Sequence, residues 1–203
     1  LNIINNILDF SKIESGKMQL ELHPCAVKNF IVNTADIFRQ IASKKNINLQ
    51  VILDENIPQC ILRDKTKWQQ VLFNLLSNAI KFTPNGKTIN LTAKYNESTK
   101  LIYICVKDSG IGIAQEKLKY IFEAFSQADE STTREFGGTG LGLTISSKLI
   151  KLMGGELKVE SMLDKGSKFY FEVPVTICQE QFEDEKLELA NNEELVFQGH
   201  ILI

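Results

Sequence analysis

Apolar residues recur at Ile3, Ile7 and Phe10, with Ile4 and Leu8 beside them, so LNIINNILDFSKIESGKM reads as an amphipathic helix that stops near Gly16. The same spacing puts Ile31, Ala35, Phe38 and Ala42 on one face of VKNFIVNTADIFRQIASKKN. A third helical pattern runs from Asp64, a good N-cap, to Phe82, and a fourth over about Leu141 to Met153. Alternation of period two marks INLQVILD, KTINLTAKYN, KLIYICVKD, GELKVES and SKFYFEVPV as strands. MQLEL and CILR are shorter strand candidates, and a short helix is expected near Gln115 to Phe122. Turn chemistry separates these elements at Asn56 and Pro58, at Pro84 to Gly86, and in NEST. Strands and helices do not keep the strand, helix, strand rhythm of a parallel sheet. The expectation is an α+β fold, a mixed sheet with helices packed on one face.

A chain of 203 residues allows one core domain of about 150 residues plus extensions. Hydrophobic content of 43%, charged content of 24% and a net charge of -2 are ordinary for a soluble domain. There is no basic block to suggest a nucleic-acid partner, and no apolar run long enough to contact or span a membrane. Cys25, Cys60, Cys105 and Cys178 are widely spaced, without CxxC or clustered histidine. They read as reduced packing residues of a cytoplasmic protein, with no zinc site. After Pro174 the chain turns acidic in QEQFEDEKLELANNEE, which reads as a solvated linker.

On a helical wheel of the third helix, Lys67, Asn74, Asn78 and Lys81 share a narrow sector, with Gln70 at its border. Trp68, Leu72, Leu75, Leu76 and Ala79 take the far side. A solvent-facing stripe is one reading, but a free surface prefers Glu, Lys and Arg. Two amides one turn apart offer paired carbonyl oxygens, which suit a hard cation that keeps several waters. Lys81 would add a positive charge for an anion beside it.

Two glycine-rich stretches bear on that choice. DSGIGI, Asp108 to Ile113, follows a strand and sets one carboxylate before a sharp turn, as a turn former or as an acceptor for an exocyclic amine. FGGTGLGL, Phe136 to Leu143, opens a helix and leaves backbone N–H groups uncovered at its positive end, a cradle for phosphate. Neither GxGxxG nor GxxxxGK[ST] is present. Between the two lies EAFSQADESTTREF, small and polar, with the composition of a lid over a ligand.

Taken together, NLLSNAIKFT (Asn74 to Thr83), DSGIGI, IFEAFS (Ile121 to Ser126) and GGTGLGL (Gly137 to Leu143) resemble the N box, first glycine box, F box and second glycine box of bacterial sensor histidine kinases. They occur in that order over roughly Gln19 to Val175. The resemblance implies the Bergerat ATP-binding fold, a two-layer α/β sandwich in which about five strands are backed by three helices, with ATP and Mg²⁺ as ligands. It makes Asn78 the principal magnesium ligand with Asn74 beside it, and puts Lys81 and Phe82 near the phosphates and sugar. Asp108 would accept the adenine amine, supported by the Ser167 hydroxyl, and Gly110, Gly112 and Ile113 would shape the adenine side. Gly138, Gly140 and Gly142, with the backbone of Thr139, Leu141 and Leu143, would flank the phosphates. Phe122 and Phe125 would anchor the lid or pack in the core, and Arg134 would be its basic residue. The segment DKTKWQQ departs from the common DPTRLRQ at Lys65, Lys67, Trp68 and Gln69.

Residues 1–17, with DFSKIESGKM, resemble the end of the second helix of the dimerisation and phosphoacceptor domain, a coiled-coil-like element. Residues 18–176 would then be the ATP-binding catalytic domain, 177–198 an acidic linker, and 199–203, with GHILI, the first strand of a receiver domain. A chain that opens mid-helix is expected to be part of a longer protein. Its expected function is transfer of the ATP γ-phosphate to a histidine on another domain, with phosphoacceptor helices and a receiver domain or response regulator as partners. His23, before Pro24 in an expected loop, and His200 do not replace that histidine. A non-catalytic nucleotide-sensing module is the alternative of a different class. A gyrase-like ATPase is disfavoured, because those enzymes place a water-activating glutamate where Asn74 stands.

Overall fold

The computed structural model describes residues 2–125 and 140–178, without the side chains of residues 2, 3 and 5. Five strands form the main sheet in the order β2-β4-β5-β7-β6. They are β2 (Asn48–Leu53), β4 (Thr88–Asn96), β5 (Leu101–Asp108), β6 (Glu156–Met162) and β7 (Gly166–Pro174). The β2–β4 pair is parallel and the others are antiparallel, so the sheet is mixed as expected. Helices α2 (Val27–Lys44), α3 (Lys65–Phe82) and α4 (Gly142–Leu152) cover one face, and α1 (Asn2–Glu14) lies across α4.

Alternation builds the sheet's buried face. Ile89, Leu91 and Ala93 of β4, Ile102, Ile104 and Val106 of β5, and Phe169, Phe171 and Val173 of β7 all point at the helices. Against them α3 presents Trp68, Val71, Leu72, Leu75, Leu76, Ala79 and Ile80, every one buried. Each such Leu or Ile contributes about 1.5–3 kcal/mol by leaving water. Asp64 caps α3 by accepting from Lys67 N at 3.0 Å, and its second oxygen accepts from Glu21 N at 3.1 Å.

A second sheet has three strands in the order β1-β3-β8, of which only β3, the expected strand CILR, was read from the sequence. It consists of β1 (His23–Ala26), β3 (Cys60–Arg63) and β8 (Thr176–Ile177). MQLEL, residues 18–22, was expected as a strand but is not one; the strand begins after it at His23, which opens it instead of lying in a loop. Pro24 is tolerated because β1 is an edge strand, where a missing N–H costs no ladder bond. The expected helix near Gln115 is a run of turns with i to i+3 bonds, such as Lys117 N to Ala114 O at 2.9 Å.

Two cysteines correct the reading of all four as reduced. Cys60 and Cys178 form a disulfide across 118 residues, and Cys178 N also donates to Cys60 O at 3.1 Å. Ile177 and Cys178, expected in the linker, therefore belong to the fold. Cys25 and Cys105 are free and buried. Cys25 Sγ accepts from Nη2 of Arg63, a residue only 2% exposed whose guanidinium is stacked 3.4 Å from the Phe30 ring centroid. Burial pushes the Arg63 pKa down.

Candidate functional site

The amide stripe of α3 is not a wet face. Lys67, Gln70, Asn74, Asn78 and Lys81 are all half-buried, while the exposed positions of this helix are Lys65, Thr66 and Ser77. Its lower half is covered by α1, where Asp9 accepts from Gln70 Nε2 at 2.8 Å and pairs with Lys67 at 3.5 Å. Lys67, a departure from the common motif, thus has a defined partner. Its middle meets α4, where Asn74 Nδ2 donates to Ser146 Oγ at 2.9 Å.

The α3–α4 approach depends on Gly142. A Cβ there would stand 2.3 Å from Asn74 Oδ1, so only glycine lets the start of α4 come this close. Asn78 Nδ2 lies 3.5 Å from the same oxygen. The side-chain oxygen of Asn78, Oδ1, accepts no hydrogen bond among the described residues. No group of three or more His, Cys, Asp or Glu among the described residues could hold a metal. The donors present are neutral amide oxygens, a set that fits a Mg²⁺ arriving with a polyphosphate better than a metal held by protein alone.

No side chain caps α4, whose N-cap position is Leu141. The polarity of such a helix start favours an anion. Gly140 precedes it with φ 68°, Leu141 is buried, and Leu143 packs on the core. Thr144, in the first turn, is buried with its hydroxyl unpartnered among the described residues. Lys81, at the end of α3, sits 4.8 Å from the Phe82 ring centroid, and burial lowers its pKa. An ammonium held partly out of water binds an anion more strongly than one in bulk solvent.

Asp108 ends β5 and is 6% exposed. Its Oδ1 accepts from Gly110 N at 2.8 Å and from Ser167 N at 3.3 Å. Its Oδ2 carries no hydrogen bond among the described residues and is left for a ligand's donor. Burial raises the Asp108 pKa, and the Gly110 and Ser167 amides oppose that shift. Ser167 was expected to help through its hydroxyl, but its backbone N–H does so. The hydroxyl instead lies 2.9 Å from Ser161 Oγ, which donates to Gly166 O and accepts from Ile113 N at 2.8 Å. Gly112 follows with φ 69° against Met162 O.

Phe122 packs on the core, whereas Phe125 is 69% exposed and meets Phe10 of α1 edge-on at 6.5 Å. Arg134, Gly138, Thr139, most of the expected lid, the acidic segment from 179 and His200 lie outside the described residues. A groove of about 310 Å³ is lined by Asp108, Ser161 and Ser167 together with Lys107, Glu160 and Lys168, so it includes the carboxylate expected to accept the adenine amine.

Sequence reasoning passed over Lys45, Thr144, Ser146 and Ser161. Ser161 and Ser167 face each other across the β6–β7 ladder, and register of this kind leaves no local signal in the chain.

A helix of amides, a glycine-led helix start and a buried carboxylate are set on one mixed sheet, the arrangement of a nucleotide-binding ATPase domain. The chain belongs to the histidine kinase-, DNA gyrase B-, and HSP90-like ATPase family, whose model matches residues 63–177. It is 41% identical over 179 residues to hybrid signal transduction histidine kinase B of Dictyostelium discoideum, covering 87% of this chain and 9% of that protein. It is likewise 41% identical to the autoinducer 2 sensor kinase/phosphatase LuxQ of Vibrio vulnificus over 189 residues, 89% of this chain and 22% of LuxQ. The chain therefore spans about a tenth to a fifth of these relatives. Among solved structures, full-length ShkA in complex with AMPPNP superposes with a TM-score of 0.77 at 31% identity, covering 87% of this chain and 36% of ShkA. The catalytic domain of histidine kinase ThkA gives 0.65 at 29% identity over 76% of this chain and 95% of its own. Among the described residues no helix is long and apolar enough to cross a membrane.

Proposed function

We propose that this chain is the ATP-binding catalytic part of a hybrid sensor histidine kinase, which passes the γ-phosphoryl group of ATP to a histidine on phosphoacceptor helices. The observation that carries the reading is the setting of position 74. The family includes both kinases and ATPases, and an ATPase needs a base there to take a proton from water. Asn74 is an amide held by Ser146 and wedged against Gly142, so it positions a neighbour and abstracts nothing.

In this reading Asp108 Oδ2 accepts the adenine amine, the start of α4 receives the phosphates, and Lys81 offsets their charge. Asn78, with Asn74 beside it, would hold the Mg²⁺ that neutralises the triphosphate. Gly138, Thr139 and Arg134 keep the lid roles that the family motifs imply. The imidazole of the partner domain attacks the γ-phosphorus and ADP leaves, so this chain contributes positioning and charge. Residues 1–17 act as the end of a phosphoacceptor helix, 18–178 as the catalytic domain, and the segments after it as linker and receiver strand. Support for that division comes from α1, which is fastened to the domain by Asp9 and by a Glu14–Lys148 ion pair. The solved ThkA complex contains a response regulator protein, and a receiver domain is the downstream partner proposed here. A cytoplasmic location belongs to the same proposal and rests on the proposed use of ATP, since the Cys60–Cys178 disulfide removes the support of the cysteine pattern.

The test mixes the chain with a separately produced phosphoacceptor helical hairpin and γ-labelled ATP. Acid-labile phosphohistidine on the hairpin supports the kinase. Nucleotide binding without transfer would make the chain a sensing module, and steady phosphate release would make it an ATPase. Label on His23 of the chain alone would overturn the mechanism.

A further inference from the structure

Lys45 follows the last residue of α2, lies outside the span matched by the family model, and belongs to none of the motifs. Its ammonium nevertheless donates to three carbonyls at the end of α3: Ile80 O at 2.7 Å, Thr83 O at 2.9 Å and, more weakly, Lys81 O at 3.4 Å. The last turn of a helix leaves carbonyls without partners and carries the negative end of the dipole, so a cation there satisfies both. The backbone of Lys45 joins the same knot, since its carbonyl accepts from Gly86 N at 3.3 Å. No ion pair to a carboxylate draws the ammonium away among the described residues.

The segment held in this way touches the opposite wall of the site. Phe82, between the capped carbonyls, accepts from Ile111 N at 3.2 Å through its own carbonyl. It also backs onto Gly110, where a Cβ would stand 2.4 Å from Phe82 O. Gly110 N in turn donates to Asp108 Oδ1 at 2.8 Å. A continuous line of contacts therefore runs from Lys45 through the end of α3 to the carboxylate.

We propose that Lys45 is a positioning residue for nucleotide binding: it sets the spacing between the helix that carries Asn74, Asn78 and Lys81 and the loop that carries Asp108. The inference deepens the ATP-binding reading and rests on it. A nucleotide must contact both walls at once, so a small drift of the α3 end misaligns the phosphate contacts relative to the base contact.

Calorimetric titration with ADP and Mg²⁺ tests this on the whole 203-residue chain, comparing wild type with Lys45→Met, Lys45→Arg and the core variant Ile31→Val. Lys45→Met should weaken ADP binding about tenfold, the order expected for losing a charge-assisted contact, and Lys45→Arg should stay within about twofold. Ile31→Val lowers stability away from the site and should leave the Kd unchanged. Exchange of the Ile111 amide should also quicken in Lys45→Met. If Lys45→Met does not fold, Lys45→Gln takes its place, since it can still satisfy one carbonyl. Wild-type affinity in the folded Met or Gln variant overturns the proposal, as does equal loss in Lys45→Arg or Ile31→Val. Failure of the wild type itself to bind ADP would instead overturn the ATP-binding reading.

Discussion

Replacing Gly142 by alanine probes the tightest contact in the site. In an open helix this change is stabilising by up to about 1 kcal/mol, because glycine loses more backbone freedom on folding. At position 142 the new Cβ would stand 2.3 Å from Asn74 Oδ1 and 3.0 Å from its Cγ, where ordinary contact begins at 3.4 Å. The amide or the start of α4 must therefore yield by about 1 Å, and overpacking of that kind costs about 1–3 kcal/mol. Turning Asn74 aside also gives up its 2.9 Å bond to Ser146, worth about 1 kcal/mol. The net is a loss of about 1–3 kcal/mol, or about 3–9 °C in Tm for a domain of this size. Thermal melts by circular dichroism, with ADP and Mg²⁺ titrations alongside, read both stability and the site. The sharper test is a double-mutant cycle with Asn74→Ala, which removes the obstructing oxygen. Gly142→Ala should then become neutral or stabilising, a coupling of about 2 kcal/mol. A Gly142→Ala protein that melts at or above wild type, or an equal loss with and without Asn74, would refute the reasoning.

Asn78→Ala should abolish the Mg²⁺-dependent part of ADP affinity and leave binding in EDTA nearly unchanged; equal loss under both conditions would remove Asn78 from the metal role. Burial raises the Asp108 pKa, so the carboxyl holds its proton to higher pH than an ordinary aspartate, and the ionised form is the stronger acceptor for an amine. ADP affinity should therefore fall on acidification earlier than an unperturbed carboxylate would allow, while Asp108→Asn gives a weak and flat profile. The same shift means that the folded state favours protonated Asp108, so its contribution to stability is present below the ordinary aspartate pKa and lost as pH rises through the raised one. Reduction of Cys60–Cys178 releases a closed loop of 118 residues, for which chain entropy gives about 5 kcal/mol as an upper figure. Tm should drop in reductant and in Cys178→Ser alike, and a Cys178→Ser protein insensitive to reductant with wild-type Tm would show that the bond does not stabilise the fold.

Much of α3 was legible before any coordinates. Its period, its Asp64 cap and the grouping of Asn74, Asn78 and Lys81 all follow from local spacing, which a helix converts directly into faces. What covers that stripe was not legible. Asp9 and Ser146 are 61 and 72 residues from the side chains they meet, and no periodicity encodes such distances. Strands were readable by alternation, but the parallel β2–β4 pairing and the small β1-β3-β8 sheet depend on register between distant segments. The turns after Ala114 carry apolar residues at helical spacing, yet they close as i to i+3 bonds, which composition does not separate from one helical turn.

The motifs likewise carried the chemistry without its atoms. In DSGIGI the sequence left Asp108 as a turn former or a fixed acceptor, and only the fold showed that the amides of Gly110 and Ser167 hold one oxygen while the other accepts no hydrogen bond among the described residues. By itself the sequence determined the type of most elements, the amide stripe, the glycine-rich helix start and the order of the boxes. These rest on the local geometry of the backbone, which neighbouring residues dictate. Tertiary structure alone decided that Gly142 admits Asn74, that Cys60 reaches Cys178, and that Lys45 closes the end of α3. Such contacts join residues far apart in the chain, and close packing of the whole core is what brings them within bonding distance.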